Sequence, residues 1–324
     1  MVTRVATADE KELLFTRVDI ALVYEQIVLD LQEGVTYLDN SHKSRASKAA
    51  AQGILAKVYL TQPTPNYTGA QQLCENIMST AGLALQTNFR DVFYNELNNE
   101  IIFAIQYASG DPNESQGFSS EFTSYKRQGR QDGLNIVNPN LAVDFISHGG
   151  NRTGVSYAAF GDDANLPIPE DAEVIKFLPV GSDISNTNLP TYGDQPGNAG
   201  NDWIILRYSD VLLMHAEAIM EGNTTNDQSA IDSYMKVKVR AGFDAVADRP
   251  GVLTVNDLLL ERRVELAFEN HRFFDLLRLG VAHDVLGTHA ALKGYTSYNI
   301  RRLLLPIPSR EINLSEGLLT QNPQ

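Results

Sequence analysis

The stretch ERRVELAFENHRFFDLLRLG, residues 261–280, decides how the rest of the chain is read. A capping-type Thr254 stands ahead of it, and Leu260, Val264, Ala267, Phe268 and Phe274 predict a helix with one apolar stripe. Its polar positions are ordered too. Glu269, Arg272, Asp275 and Arg278 alternate in sign at steps of three, so each meets the next if one helix runs through them. Glu261, Glu265 and Glu269 are four apart and share a face, which suits either a pair of catalytic carboxylates or one side of an ion-pair network between helices. Arg262, Arg263, Arg272 and Arg278 supply cations on the same segment, and the ion-pair reading is the better of the two.

Working outward, ILRYSDVLLMHAEAIM (205–220) and QSAIDSYMKVKVRAG (228–242) read as two helices joined by the turn-rich GNTTND. Nearer the amino end, residues 17–38 form a long amphipathic pattern through Val18, Leu22, Ile27, Val28, Leu31 and Leu38. SRASKAAAQGILAKVYL (44–60) sets Ala49, Gly53, Ala56 and Leu60 on one face and Ala50, Ile54 and Val58 on another; side chains this small let a neighbour approach closely. Pro63 and Pro65 stop that helix, and a third begins near Tyr67 with Ala70, Leu73, Ile77 and Met78 as its stripe. Helix, short loop, helix is the tetratricopeptide-like unit. Residues 107–137 and 148–203 are rich in Gly, Asn, Asp, Ser and Pro and read as long loops, where function is often carried. Short strands are predicted at IIFAIQ (101–106) and LLLPIP (303–308).

The chain has 324 residues, 43% hydrophobic and 20% charged, an ordinary globular balance that supports a sizeable core. Its 26 Lys and Arg against 40 Asp and Glu leave a net charge of −14, which argues against a nucleic-acid partner and favours a neutral ligand over a polyanion. No stretch approaches the ~18 to 20 apolar residues of a membrane span. The single cysteine, Cys74, has no disulfide partner within the chain. No cofactor fingerprint, nucleophile motif or metal-ligand spacing is present, and His215 falls on the apolar face of its helix as a core histidine.

The 261–280 stretch resembles the ERR-x-E-L-A-F-E-x-x-R-x-x-D-L-x-R motif of the SusD/RagB family at every position. RYSDVLLMHAEA (207–218), VRAGF (239–243), LLPIPSREINLSEGLLTQNP (304–323), RASKAAAQGILAKVYL (45–60) and VYEQIVLDLQEGVTYL (23–38) resemble further family segments in the right order. The resemblance implies a mainly α fold, with tetratricopeptide-like helical repeats, a loop-rich region and a few short strands, in one SusD-like unit over 1–324. Within it, 17–95 are helical repeats, 96–203 the loop-rich ligand side, and 204–324 carboxyl-terminal repeats with the motif. It implies no enzyme and no cofactor, but a protein at the bacterial outer-membrane surface. That protein captures an oligosaccharide and delivers it to a SusC-like TonB-dependent transporter, closing over it like a lid. A peptide ligand and a helical-repeat interaction scaffold stay open as alternatives. Family members normally carry a signal peptide, a lipid-attached cysteine and further helices at the amino end, and this chain is expected to lack that part.

A sugar site needs flat aromatic faces together with amide, carboxylate or guanidinium groups. The loops offer Tyr125 beside Arg127, Tyr157 near Arg152, and Tyr192 and Trp203 flanking Asp194, Gln195 and Asn201. The last group is the preferred candidate, with Trp203 leading into the apolar start of a helix. No family position is carried over to these residues.

Overall fold

A computed structural model of the chain describes residues 1–122, 135–158, 173–179 and 197–323. Its elements run α1 (Lys11–Phe15), α2 (Ile20–Tyr37), α3 (Lys48–Thr61), α4 (Tyr67–Met78), α5 (Asp91–Tyr94), β1 (Ile101–Ile105) and α6 (Phe118–Glu121). Then come α7 (Pro139–His148), α8 (Thr153–Ser156), β2 (Tyr157–Ala158), β3 (Glu173–Val174) and β4 (Trp203–Arg207). The carboxyl-terminal part holds α9 (Tyr208–Met220), α10 (Gln228–Arg240), α11 (Val255–Glu265), α12 (Arg272–Arg278), α13 (Ala282–Leu292) and α14 (Ser309–Leu314). The fold is mainly helical, as expected.

Local chemistry sets the helix starts. Asp19, Ser47, Asn66 and Asp227 each accept a backbone N–H of their own helix's first turn, and Thr254 and Asp257 form a reciprocal capping box. Helix α9 is buried along most of its length, its Ser209, Asp210, His215 and Glu217 together with its apolar residues. Its Val211, Met214 and Ala218 pack on α3 and α4, and its Leu212, Leu213 and Ala216 on α10 and Leu258 of α11. Gly53 of α3 is needed for a close approach. A Cβ there would stand 2.2 Å from Leu206 Cδ2 of β4.

Strand β4 pairs antiparallel with β1, Ile105 opposite Trp203 and Ile101 opposite Arg207. Trp203 therefore opens a strand rather than a helix, and α9 starts five residues later. The stretch 303–308 is not a strand. Pro306 and Pro308 remove alternate N–H donors, and the Gln321 side chain takes the place of a neighbouring strand by bonding both Ile307 N–H and Ile307 C=O.

The motif helix is also not continuous. It stops at Glu265 and resumes at Arg272, with Phe268 at φ +68° and Asn270 at φ +63° between the halves. Phe274 consequently falls outside the stripe and is 59% exposed. The loop-rich region contains α7, started by Pro139 behind the Asn138 cap.

Candidate functional site

The motif's carboxylates lie in a buried ion-pair lattice. Arg207, 1% exposed, bonds Glu265 at 2.5 Å, Glu269 at 2.7 Å and Glu100 at 2.9 Å. Arg152 bonds Glu261 at 2.5 Å and Glu265 at 2.9 Å; Arg240 bonds Glu100 at 2.8 Å and also Glu265. Lys176 bonds Glu269 at 2.6 Å and lies 4.5 Å from the centre of the Phe93 ring. Four cations thus meet four carboxylates. Their partners are not the motif arginines. Arg262 and Arg278 instead serve a second cluster, on Asp210, Asp275 and Glu217, while Arg263 pairs with Asp144.

Electrostatics assign this lattice to structure. Burial alone would raise the Glu265 carboxyl, but Arg240, Arg207 and Arg152 outweigh it and hold the group well below the usual carboxylate range. Burial pushes Lys176 down to about 8 against the pull of Glu269. A general acid needs an accessible proton near neutrality, and Glu265, at 0% exposure, offers neither. His215 Nδ1 lies 2.9 Å from Ser233 Oγ, with Glu75 at 3.5 Å from Nε2, yet Ser233 is 1% exposed, closed between α9 and α10. Among the described residues no group of three or more His, Cys, Asp or Glu is placed to hold a metal ion.

The lattice's consequence lies at its edge. Arg207 donates to the Glu265 carbonyl at 2.7 Å, and Lys176 donates to the carbonyls of Ala267 at 2.9 Å and Glu265 at 3.3 Å. These bonds, with both grips on Glu269, fix the backbone between the half-helices and hold Phe268 and Asn270 in left-handed conformations that cost a phenylalanine in particular. Both side chains thereby reach the wall shared by two clefts.

The smaller cleft, about 470 Å³, is lined by Trp203, Tyr107, Phe118, Glu121, Asn135 and Asn270, with Phe268 and Phe122. Trp203 is half-buried, edge-on to Phe118 at 5.0 Å and tilted over Phe177 at 5.5 Å, so it is both anchored and presented. The β1–β4 pairing brings Tyr107 beside it, Tyr107 N–H donating to Asp202 at 3.2 Å. The larger cleft, about 910 Å³, lies beyond Phe268 and is lined by residues of the motif, α7 and α13.

Of the residues singled out in the sequence, Trp203 lies on a cleft. Asn201 is buried behind it, its amide donating to Leu178 C=O at 2.8 Å. Tyr157 packs on Phe145, ring centres 5.4 Å apart, away from Trp203's cleft. Tyr125, Arg127, Tyr192, Asp194 and Gln195 lie outside the described residues. Arg152, offered beside Tyr157 as a loop guanidinium for a sugar, is fully buried in the lattice. Sequence reasoning missed Tyr107, Phe118, Glu121, Asn135, Phe268 and Asn270. The one local hint was weak: Asn270 and His271 are poor helix formers between two apolar runs.

Among known proteins, residues 182–324 match the SusD family model. A SusD-like protein P2 of Formosa agariphila is 27% identical over 93% of this chain and 64% of its own length. A SusD-like protein of Bacteroides ovatus is 27% identical over 79% of this chain and 50% of its own length. The chain thus spans between half and two-thirds of these two relatives. The surface glycan-binding protein A of Bacteroides thetaiotaomicron, solved in complex with laminarihexaose, shares the fold at TM-score 0.75 and 23% identity, over 93% of this chain and 70% of that one. With its motif intact, residues 182–324 matched by the SusD family model and its fold shared along most of its length, the chain is similar to proteins of the SusD/RagB family.

Proposed function

We propose that this chain binds an oligosaccharide without covalent chemistry, in the cleft beside Trp203. The observation that carries the reading is the lining itself: the Trp203 and Tyr107 rings stand with the Asn135 and Asn270 amides and the Glu121 carboxylate in one cleft. Aromatic faces take the C–H side of a pyranose, and amides and a carboxylate take its hydroxyls. The glycan complex of the Bacteroides thetaiotaomicron relative supports the same ligand class. Glycoside hydrolysis would need two carboxyls about 5 to 9.5 Å apart across the bond. Glu121 is the lone carboxylate among the described residues of this cleft, and the motif's glutamates are buried in ion pairs. In keeping with its similarity to SusD-family proteins, it would act at the bacterial outer-membrane surface and hand its ligand to a SusC-like TonB-dependent transporter.

Calorimetric titration with neutral and acidic oligosaccharides and short peptides, repeated on Trp203→Ala and Tyr107→Ala, tests the binding step. The expected result is saturable binding of a glycan that Trp203→Ala weakens about 30-fold, the cost of truncating an interface anchor. Binding of peptides alone, or of no probe, would overturn it. Co-purification with a co-expressed SusC-like transporter tests the handover.

A further inference from the structure

The arginines of the motif are not equivalent. Arg262, Arg263 and Arg278 each pair with a carboxylate, as do Arg152, Arg207 and Arg240 elsewhere in the core. Arg272 pairs with none among the described residues. It is half-buried, its one hydrogen bond among those residues goes from Nη1 to the Leu259 carbonyl at 3.1 Å, and it lines the larger cleft together with Arg263. Asp284, exposed on the same wall, makes no ion pair with it. Burial, with the neighbouring Arg263 adding to it, pushes the Arg272 pKa down to about 10, and Asp275 and Asp144 offset this only in part. The surroundings suit a sugar: Phe273 and Phe274 offer rings, and Asn140 and His289 offer hydrogen-bonding groups.

We infer that the larger cleft is a second glycan subsite, continuous with the Trp203 cleft across Phe268 and Asn270, and that Arg272 there binds an anionic substituent of the ligand, a carboxylate or a sulfate ester. This rests on the Trp203 cleft being a glycan site. A planar guanidinium with unused N–H donors takes either oxyanion through paired bonds, and charge-assisted bonds of this kind carry more discrimination than neutral ones. The chain's net charge of −14 opposes a densely charged polymer, so the fitting ligand is a mainly neutral glycan bearing isolated acidic groups.

The test uses matched probes that differ only in charge: oligogalacturonides against their methyl esters for the carboxylate, and sulfated against desulfated galactan oligosaccharides for the sulfate. In at least one pair the charged member is expected to bind about tenfold or more tightly, with the preference shrinking as salt rises and vanishing in Arg272→Gln. Arg272→Lys keeps the charge and loses the fork, and should retain part of the preference. Equal affinity within both pairs, or a preference unchanged in a folded Arg272→Gln, would overturn the inference. Should that variant not fold, a salt-independent preference in the wild type would do the same. If the neutral members bind in a Trp203-dependent way without charge preference, the second subsite fails while the glycan function stands. If no oligosaccharide binds, both fail.

Discussion

Replacing Glu265 with glutamine isolates what the buried lattice contributes. Glu265 is fully buried and accepts from Arg207 at 2.5 Å, Arg152 at 2.9 Å and Arg240. Glutamine keeps the shape, so no cavity forms, but four buried cations are left facing three carboxylates, and an amide N–H₂ is turned toward guanidinium donors. Removing one partner of a buried pair costs about 3 to 5 kcal/mol, a large share of the roughly 5 to 15 kcal/mol that holds a domain folded. Urea unfolding at pH 7 should show this as a midpoint lowered by about 1 M or more, the m-value being unchanged. The pH dependence supplies a second check. The folded pKa of Glu265 lies well below its unfolded value of about 4.3, so its contribution is complete above that value and is lost as pH falls through the lower folded one. The gap between wild type and variant should therefore narrow below about pH 4.3. A gap under about 1 kcal/mol at pH 7, or one that stays constant in acid, would refute the lattice as the element that fixes the motif.

Other substitutions probe separate links. His271 is pushed down to about 4 by burial, with Lys57 and Arg262 adding to it against Asp210, so it is neutral when folded and charged when unfolded between about pH 4 and 6.5. Stability should fall by up to about 3 kcal/mol across that window, and His271→Gln should flatten the decline measured by urea unfolding. Gly53→Ala should destabilise by about 1 to 3 kcal/mol in thermal melts, because a Cβ 2.2 Å from Leu206 Cδ2 overrides the better helix propensity of alanine. Asn270→Gly relieves a left-handed residue at φ +63° and should leave stability unchanged or raised by up to about 1 kcal/mol while weakening glycan binding, a split that calorimetry and melting together detect.

The helices of the repeats were legible because their signals are local: apolar positions at helical spacing, a cap at the start and proline after the end. What fixes the candidate site is not local. Leu266, Ala267 and Phe268 continue an apolar rhythm that predicts unbroken helix, and the break depends on Lys176 and Arg207, which seize the carbonyls of Glu265 and Ala267 from other parts of the chain. Glu100, on which Arg207 and Arg240 converge, precedes a strand and carries no mark of its burial in the sequence. Trp203 stood out as the one tryptophan in a polar stretch. Its companions Tyr107 and Asn270 become visible only once β1 pairs with β4 and the motif is bent.

Because Trp203 is the sole tryptophan and lies in the proposed glycan cleft, its fluorescence reports occupancy of that cleft directly. Titrating the protein with an oligosaccharide that calorimetry shows to bind should change the Trp203 emission along the same saturation curve, with a matching dissociation constant. Saturable binding that leaves the emission unchanged, and that persists in Trp203→Ala, would place the ligand elsewhere and contradict the account.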